Sequence, residues 1–81
     1  MKDARHDALL WKCRRGMLEL DILLTQYIEK FYHTASEDDI LHFIALLEEA
    51  DTDLFAWLMG NAEPKPEFTS LVDKIRHAHQ G

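Results

Sequence analysis

Arg14, Arg15, Gly16 and Glu19 stand together in the stretch CRRGMLE at 13–19. Two guanidinium groups and a carboxylate flank a residue without a Cβ. That combination suits charge-assisted hydrogen bonding and close backbone approach by a partner. It is also what a helix junction needs. The arginines complement the carboxyl end of one helix, Gly16 turns the chain, and Glu19 complements the amino end of the next. Arg15 and Glu19 are spaced to pair across the turn. Two details favour docking: Leu18 and Ile22 form an outward apolar pair beside these charges, and charged groups around a small apolar patch have the make-up of an interface hot spot.

Other reactive side chains form no catalytic constellation. The histidines are His6, His33, His42, His77 and His79. His77 and His79, two apart, point to different faces of a helix. Asp38 and His42 share a face, but two ligands are too few for a metal. Cys13 neighbours two arginines that would lower its pKa, yet no histidine lies in register with it, and a half-buried structural thiol is the plainer reading. Gly16 stands alone, so there is no phosphate-binding glycine loop. The acidic run from Glu37 to Asp53 contains no lysine or arginine; it reads as helix caps plus a solvated face, or as an electrostatic docking surface. Trp11, Phe55 and Trp57 read as core aromatics.

The elements that must position these residues are short helices. The chain has 81 residues and a formal net charge of −6, enough for one core and adverse to neutralising nucleic-acid phosphates. No apolar run approaches the roughly 18–20 residues that would cross a bilayer. The amino-terminal MKDARHD lacks a signal peptide's apolar stretch, and a single cysteine fits a reducing compartment, so a cytoplasmic location is expected. No dimer face is inferred, and the free chain is expected to be a monomer.

Periodicity predicts helices near 4–14, 17–32, 37–49, 52–59 and 66–78, an all-α, compact, single-domain bundle of five short helices over residues 1–81. In the first helix Ala4, Ala8 and Trp11 line one side, with Leu9 and Cys13 beside them, and Arg14 and Arg15 fall in its last turn. Met17, Leu20, Leu24, Tyr27, Ile28 and Phe31 make the stripe of the second. Ser36 and Asp39 form a capping-box pattern, followed by a stripe of Ile40, Phe43, Ile44 and Leu47. Asp51 is placed as the cap of a fourth helix, which is apolar nearly all round and therefore central. Gly60 suits a left-handed carboxyl terminus. Pro66 suits the first turn of a last helix, whose core face is Phe68, Leu71, Val72 and Ile75.

With these residues in place, a family resemblance emerges. RGMLE at Arg15–Glu19 fits the RGxxE motif of the SdhE-type succinate dehydrogenase FAD assembly factors. WKCRRGMLELD at Trp11–Asp21 is similar to that family's longer signature, and DTDLFAWLMG at Asp51–Gly60 to its second recurring segment. The resemblance implies a non-enzymatic assembly factor that binds the flavoprotein subunit of succinate dehydrogenase or fumarate reductase. Such a factor promotes covalent attachment of FAD to a client histidine. It holds no cofactor stably and acts on FAD carried by the client. By position, Arg15, Gly16 and Glu19 are the motif residues, with Arg14, Met17 and Leu18 completing the client-binding segment. Members of the family have also been described as antitoxins, so a protein-binding regulator with a non-flavoprotein partner, such as an antitoxin, is the alternative.

Overall fold

The computed structural model describes residues 4–80, and the side chains of 79 and 80 lie outside that description. Among the described residues there are five α-helices and no strand: α1 (Ala4–Lys12), α2 (Leu18–Phe31), α3 (Glu37–Leu47), α4 (Asp51–Leu58) and α5 (Thr69–Gln80). One-turn 3-10 segments, Tyr32–Thr34 and Pro66–Phe68, follow α2 and precede α5. The radius of gyration is 11.8 Å, against about 12 Å for a compact chain of this length.

α2 is the central element. It packs against α5 most extensively, and against α4 and α1. Leu20, Leu23, Leu24, Tyr27 and Ile28 are its buried residues; Met17 and Phe31 finish the stripe half-buried. From the facing helices Phe43, Leu46, Leu54 and Ile75 complete an interior that excludes solvent almost wholly. Tyr27 stacks on Phe43 with ring centroids 5.5 Å apart. α4 buries Leu54, Trp57 and Leu58, but leaves Thr52 and Asp53 exposed. Its apolar composition had placed it at the centre; one buried face against α2 and α5 is what it has.

The helix ends follow local chemistry. Ser36 Oγ accepts the Asp39 N–H at 3.1 Å, and the Asp39 carboxylate accepts the Ser36 N–H at 3.2 Å, a reciprocal capping box. Those bonds hold the Asp39 carboxyl below its ordinary value, the backbone N–H of Ser36 contributing most. Gly16 and Gly60 both have positive φ, +86° and +79°. At Gly60 that left-handed backbone ends α4, and at Gly16 it turns the chain between α1 and α2, in both places without the Cβ penalty most other residues would carry.

Two sequence expectations for α1 are corrected. The helix stops at Lys12, so Arg14 and Arg15 lie beyond its last turn. Its buried line is Leu9 and Cys13, four residues apart, and Ala4, Ala8 and Trp11 are exposed. Trp11 is 70% exposed, not part of the core. Its indole carries the Arg14 guanidinium 5.1 Å from the ring centroid instead, a cation–π contact at the surface.

Candidate functional site

Between α1 and α2 the chain makes a tight, polar turn, and one side chain organises it. Arg15 reaches inward. Its Nε donates to Asp51 Oδ1 at 2.7 Å, its Nη1 to the Lys12 carbonyl at 3.2 Å, and its Nη2 to the Glu49 carbonyl at 3.3 Å. The planar guanidinium presents its donors in a fixed fork, so one residue can bond three separate segments. It thereby satisfies a carbonyl at the end of α1 and one at the α3–α4 corner. The Arg15 side chain is only 18% exposed.

Asp21 secures the same turn from the other side. Its carboxylate accepts the Arg15 N–H at 2.7 Å and the Gly16 N–H at 3.3 Å. Met17, the residue before α2, makes no side-chain cap, so Asp21 orients the donors of the preceding loop. The expected Arg15–Glu19 pair does not form. Among the described residues Arg15 is paired with Asp51, and Glu19 is exposed. Asp51 is also not the cap of α4: Ala50 occupies that position, and Asp51 is the first helical residue.

The outer face of the turn is open. Gly16 and Glu19 are exposed, as is Arg14. A Cβ built on Gly16 would meet nothing within 4 Å, so the fold itself leaves its backbone accessible. Leu18 is 75% exposed, and Ile22, on the next turn, is also exposed. The outward apolar pair read from the sequence is therefore real. Met17 is half-buried against the core. Trp11 with its stacked Arg14 belongs to the same end of the molecule, and sequence reasoning missed it by assigning the indole to the core. Asp21 and Asp51 were missed as partners of Arg15. Their places within the two resembling segments were the available signal.

The remaining candidates are accounted for structurally. Cys13 is fully buried rather than half-buried. Burial drives its thiol up from 9.0 to about 12, opposed by the Arg15 charge and reinforced by Asp21. The neutral thiol is therefore favoured in the fold. Its stabilisation is complete below the unfolded value near 9 and is lost as pH rises through about 12. The thiol is both protonated and closed off from solvent, so iodoacetamide should label Cys13 only through unfolding. Labelling rates that rise with urea in step with the helical signal will show this; fast labelling without urea contradicts it.

His42 stacks on Phe68 at 5.3 Å, and His6 packs on Tyr32 at 4.7 Å. His77 Nδ1 lies 2.7 Å from the Asp73 carbonyl, and the His79 side chain is outside the described residues. Among the described residues no group of three His, Cys, Asp or Glu side chains could hold a metal. No described helix is long and apolar enough to cross a membrane. The acidic run 37–53 is largely paired within the fold. Glu37 forks with Arg5 at 2.6 and 2.9 Å, Asp39 caps α3, Glu49 binds Lys65 at 2.9 Å, and Asp51 holds Arg15. Much of this run is thus structural, which weakens its reading as a docking surface.

Comparison with known proteins places this geometry in context. The family described as "Flavinator of succinate dehydrogenase" matches residues 7–79. The "FAD assembly factor SdhE" of Legionella pneumophila (strain Paris) is 44% identical over 77 residues, covering 95% of this chain and 98% of that protein. The protein of the same name from Shewanella oneidensis is 46% identical over 67 residues, covering 82% of each chain. That from a Serratia species is 54% identical over 54 residues, 67% of this chain and 61% of that one. No solved structure matches the chain.

Proposed function

The chain belongs to the family of FAD assembly factors that are flavinators of succinate dehydrogenase, and on that premise we propose that its α1–α2 turn is the surface that engages the client. The protein is a non-catalytic factor acting on FAD attachment in succinate dehydrogenase. Its finer assignment is the flavoprotein subunit as client, of succinate dehydrogenase or the related fumarate reductase, with FAD carried by that client and joined to one of its histidines. The docking segment is Arg14–Glu19, within which Gly16, Leu18 and Glu19 face outward and Arg15 holds the turn in place.

The observation that carries this reading is the open face over Gly16. Gly16 is exposed and left-handed, and a Cβ added to it would meet nothing within 4 Å. It is followed in the chain by an exposed leucine, Leu18, and an exposed carboxylate, Glu19, that has no partner among the described residues. A partner backbone can approach Gly16, Leu18 can enter an apolar recess, and Glu19 can accept hydrogen bonds from client donors. Arg14 and Met17 border the same segment.

Attachment of the flavin would require loss of a proton from the 8α methyl and a client histidine nitrogen held against that carbon. The electron pair would be taken up by the isoalloxazine ring as negative charge, and the reduced flavin then reoxidised by dioxygen or another electron acceptor. The client supplies both reacting groups. A factor without catalytic groups accelerates such a step by binding the client conformer in which they are aligned. The acceleration is bounded by how much more tightly it binds that conformer than the others.

The test is flavinylation in vitro. Apo flavoprotein subunit and FAD are mixed with and without this protein, and covalent flavin is read by in-gel fluorescence of the denatured client. Faster appearance of fluorescent client is expected. An unchanged rate with the flavoprotein subunits of both succinate dehydrogenase and fumarate reductase would sink the proposal.

A further inference from the structure

We infer that Asp51 and Asp21 are positioning residues for client engagement, acting through Arg15, whose guanidinium is an internal staple and not a client contact. This deepens the docking role proposed above and rests on it. Arg15 is held at both ends. Its backbone N–H is bound by Asp21 from α2, and its Nε by Asp51 from the first turn of α4, each at 2.7 Å. Its two terminal nitrogens bond the carbonyls of Lys12 and Glu49. The guanidinium is thus committed to α1 and to the α3–α4 corner, and its side chain is largely withdrawn from solvent.

The consequence falls on the neighbouring residues. Gly16 is the residue with the most permissive backbone in the turn, and a Cβ added to it would meet no atom of the described residues within 4 Å. The hydrogen bonds around Arg15 and the Asp21–Gly16 bond, 3.3 Å, restrict it. A segment already fixed in its bound shape loses less conformational freedom on docking. Asp51, 36 residues away in sequence, therefore governs how readily Gly16, Leu18 and Glu19 present themselves. Lysine cannot replace Arg15, because a single ammonium cannot reach Asp51 and two divergent carbonyls from one planar fork.

The experiment has two arms. In the first, flavinylation is titrated with wild type, Asp51→Ala, Arg15→Ala, the double variant and Asp51→Glu, at a temperature where circular dichroism shows each folded. The concentration giving half-maximal stimulation is expected to rise about tenfold in each alanine variant, with the saturating rate unchanged. The double variant should be no worse than Arg15→Ala, and Asp51→Glu should recover most of the loss of Asp51→Ala. Arg15→Ala, which also frees the Lys12 and Glu49 carbonyls, is expected to lose at least as much as Asp51→Ala. A double variant that loses more than Arg15→Ala would show Asp51 acting other than through Arg15, and that result overturns the inference.

The second arm needs no client. Amide hydrogen exchange at Arg15 and Gly16 should quicken about tenfold in Asp21→Asn, and at Gly16 in Asp51→Ala, while the amide of Leu24 keeps its protection. Unchanged exchange at Gly16 in both variants overturns the staple whatever flavinylation shows. Failure of wild type to accelerate flavinylation, with exchange behaving as stated, would instead remove the docking role and leave the staple as architecture.

Discussion

Gly16→Arg is expected to lose stimulation of flavinylation altogether, a fall of at least about 100-fold in potency, while keeping its helical spectrum. The argument separates two consequences of adding a side chain at this position. Inside the fold there is space, since a Cβ on Gly16 meets no atom within 4 Å. The backbone, at φ +86°, imposes a cost of roughly 1–2 kcal/mol on any residue with a Cβ, less on asparagine. On the outer face, arginine would stand where the client backbone is proposed to approach. Loss of about 2.7 kcal/mol of interaction already corresponds to 100-fold. The control series is therefore Asn, Ala and Arg at position 16. Asparagine and alanine test the backbone and should retain most stimulation, with melting temperatures lowered by several degrees. Arginine tests the surface. Equal loss in Gly16→Ala and Gly16→Arg would show that strain in the turn, and not obstruction of a partner, explains the effect.

How much of this was legible in the sequence depends on the range over which each feature is decided. Features settled within one or two helical turns read directly: the buried stripe of α2, the Ser36–Asp39 box, the turn at Gly16 and the left-handed Gly60. They depend on periodicity and local hydrogen bonding, which sequence spacing encodes. Trp11 did not read correctly because α1 offers two adjacent apolar lines. Only the facing surface of α2 decides that Leu9 and Cys13 go inward and the indole stays out. The central helix was misassigned for a similar reason. α4 is more uniformly apolar than α2, but at eight residues it is too short to support every other helix.

The site divides in the same way. Its outward residues, Leu18, Ile22, Glu19 and Gly16, were visible as a departure from the α2 stripe. Its inner support was not. Arg15 has Glu19 four residues on, a natural partner by local spacing, yet it bonds Asp51 from another helix. The exposed Arg15–Glu19 pair would add little against solvent. Turned inward, Arg15 satisfies two otherwise orphaned carbonyls as well as a carboxylate, and this combination outweighs the local pair. The two stretches that carried the family resemblance, Trp11–Asp21 and Asp51–Gly60, prove to be joined by that one side chain.

Leu24→Ala is expected to fail in the opposite way, through the fold and not through the face. Leu24 is wholly buried in the middle of α2, the helix against which α1, α4 and α5 pack, and the docking segment lies at that helix's start. Truncation removes the transfer energy of the lost carbons and leaves a cavity, at a cost of about 3–5 kcal/mol. A chain of this size has roughly 4–12 kcal/mol in total, so the midpoint of thermal unfolding should fall by about 15–30 °C. Stimulation of flavinylation at 37 °C should fall with it. The decisive comparison adds client in excess. A partner that binds only the folded chain at about 100 times its dissociation constant returns roughly 2.7 kcal/mol. Excess client, or a lower temperature, should therefore restore Leu24→Ala toward wild-type rates. Neither should restore Gly16→Arg, whose folded population is already high and whose defect is in the contact itself. If Leu24→Ala stays inactive when cold, folded and saturated with client, the interior of α2 does more than support its first turn, and the separation of a docking end from a supporting core would have to be abandoned.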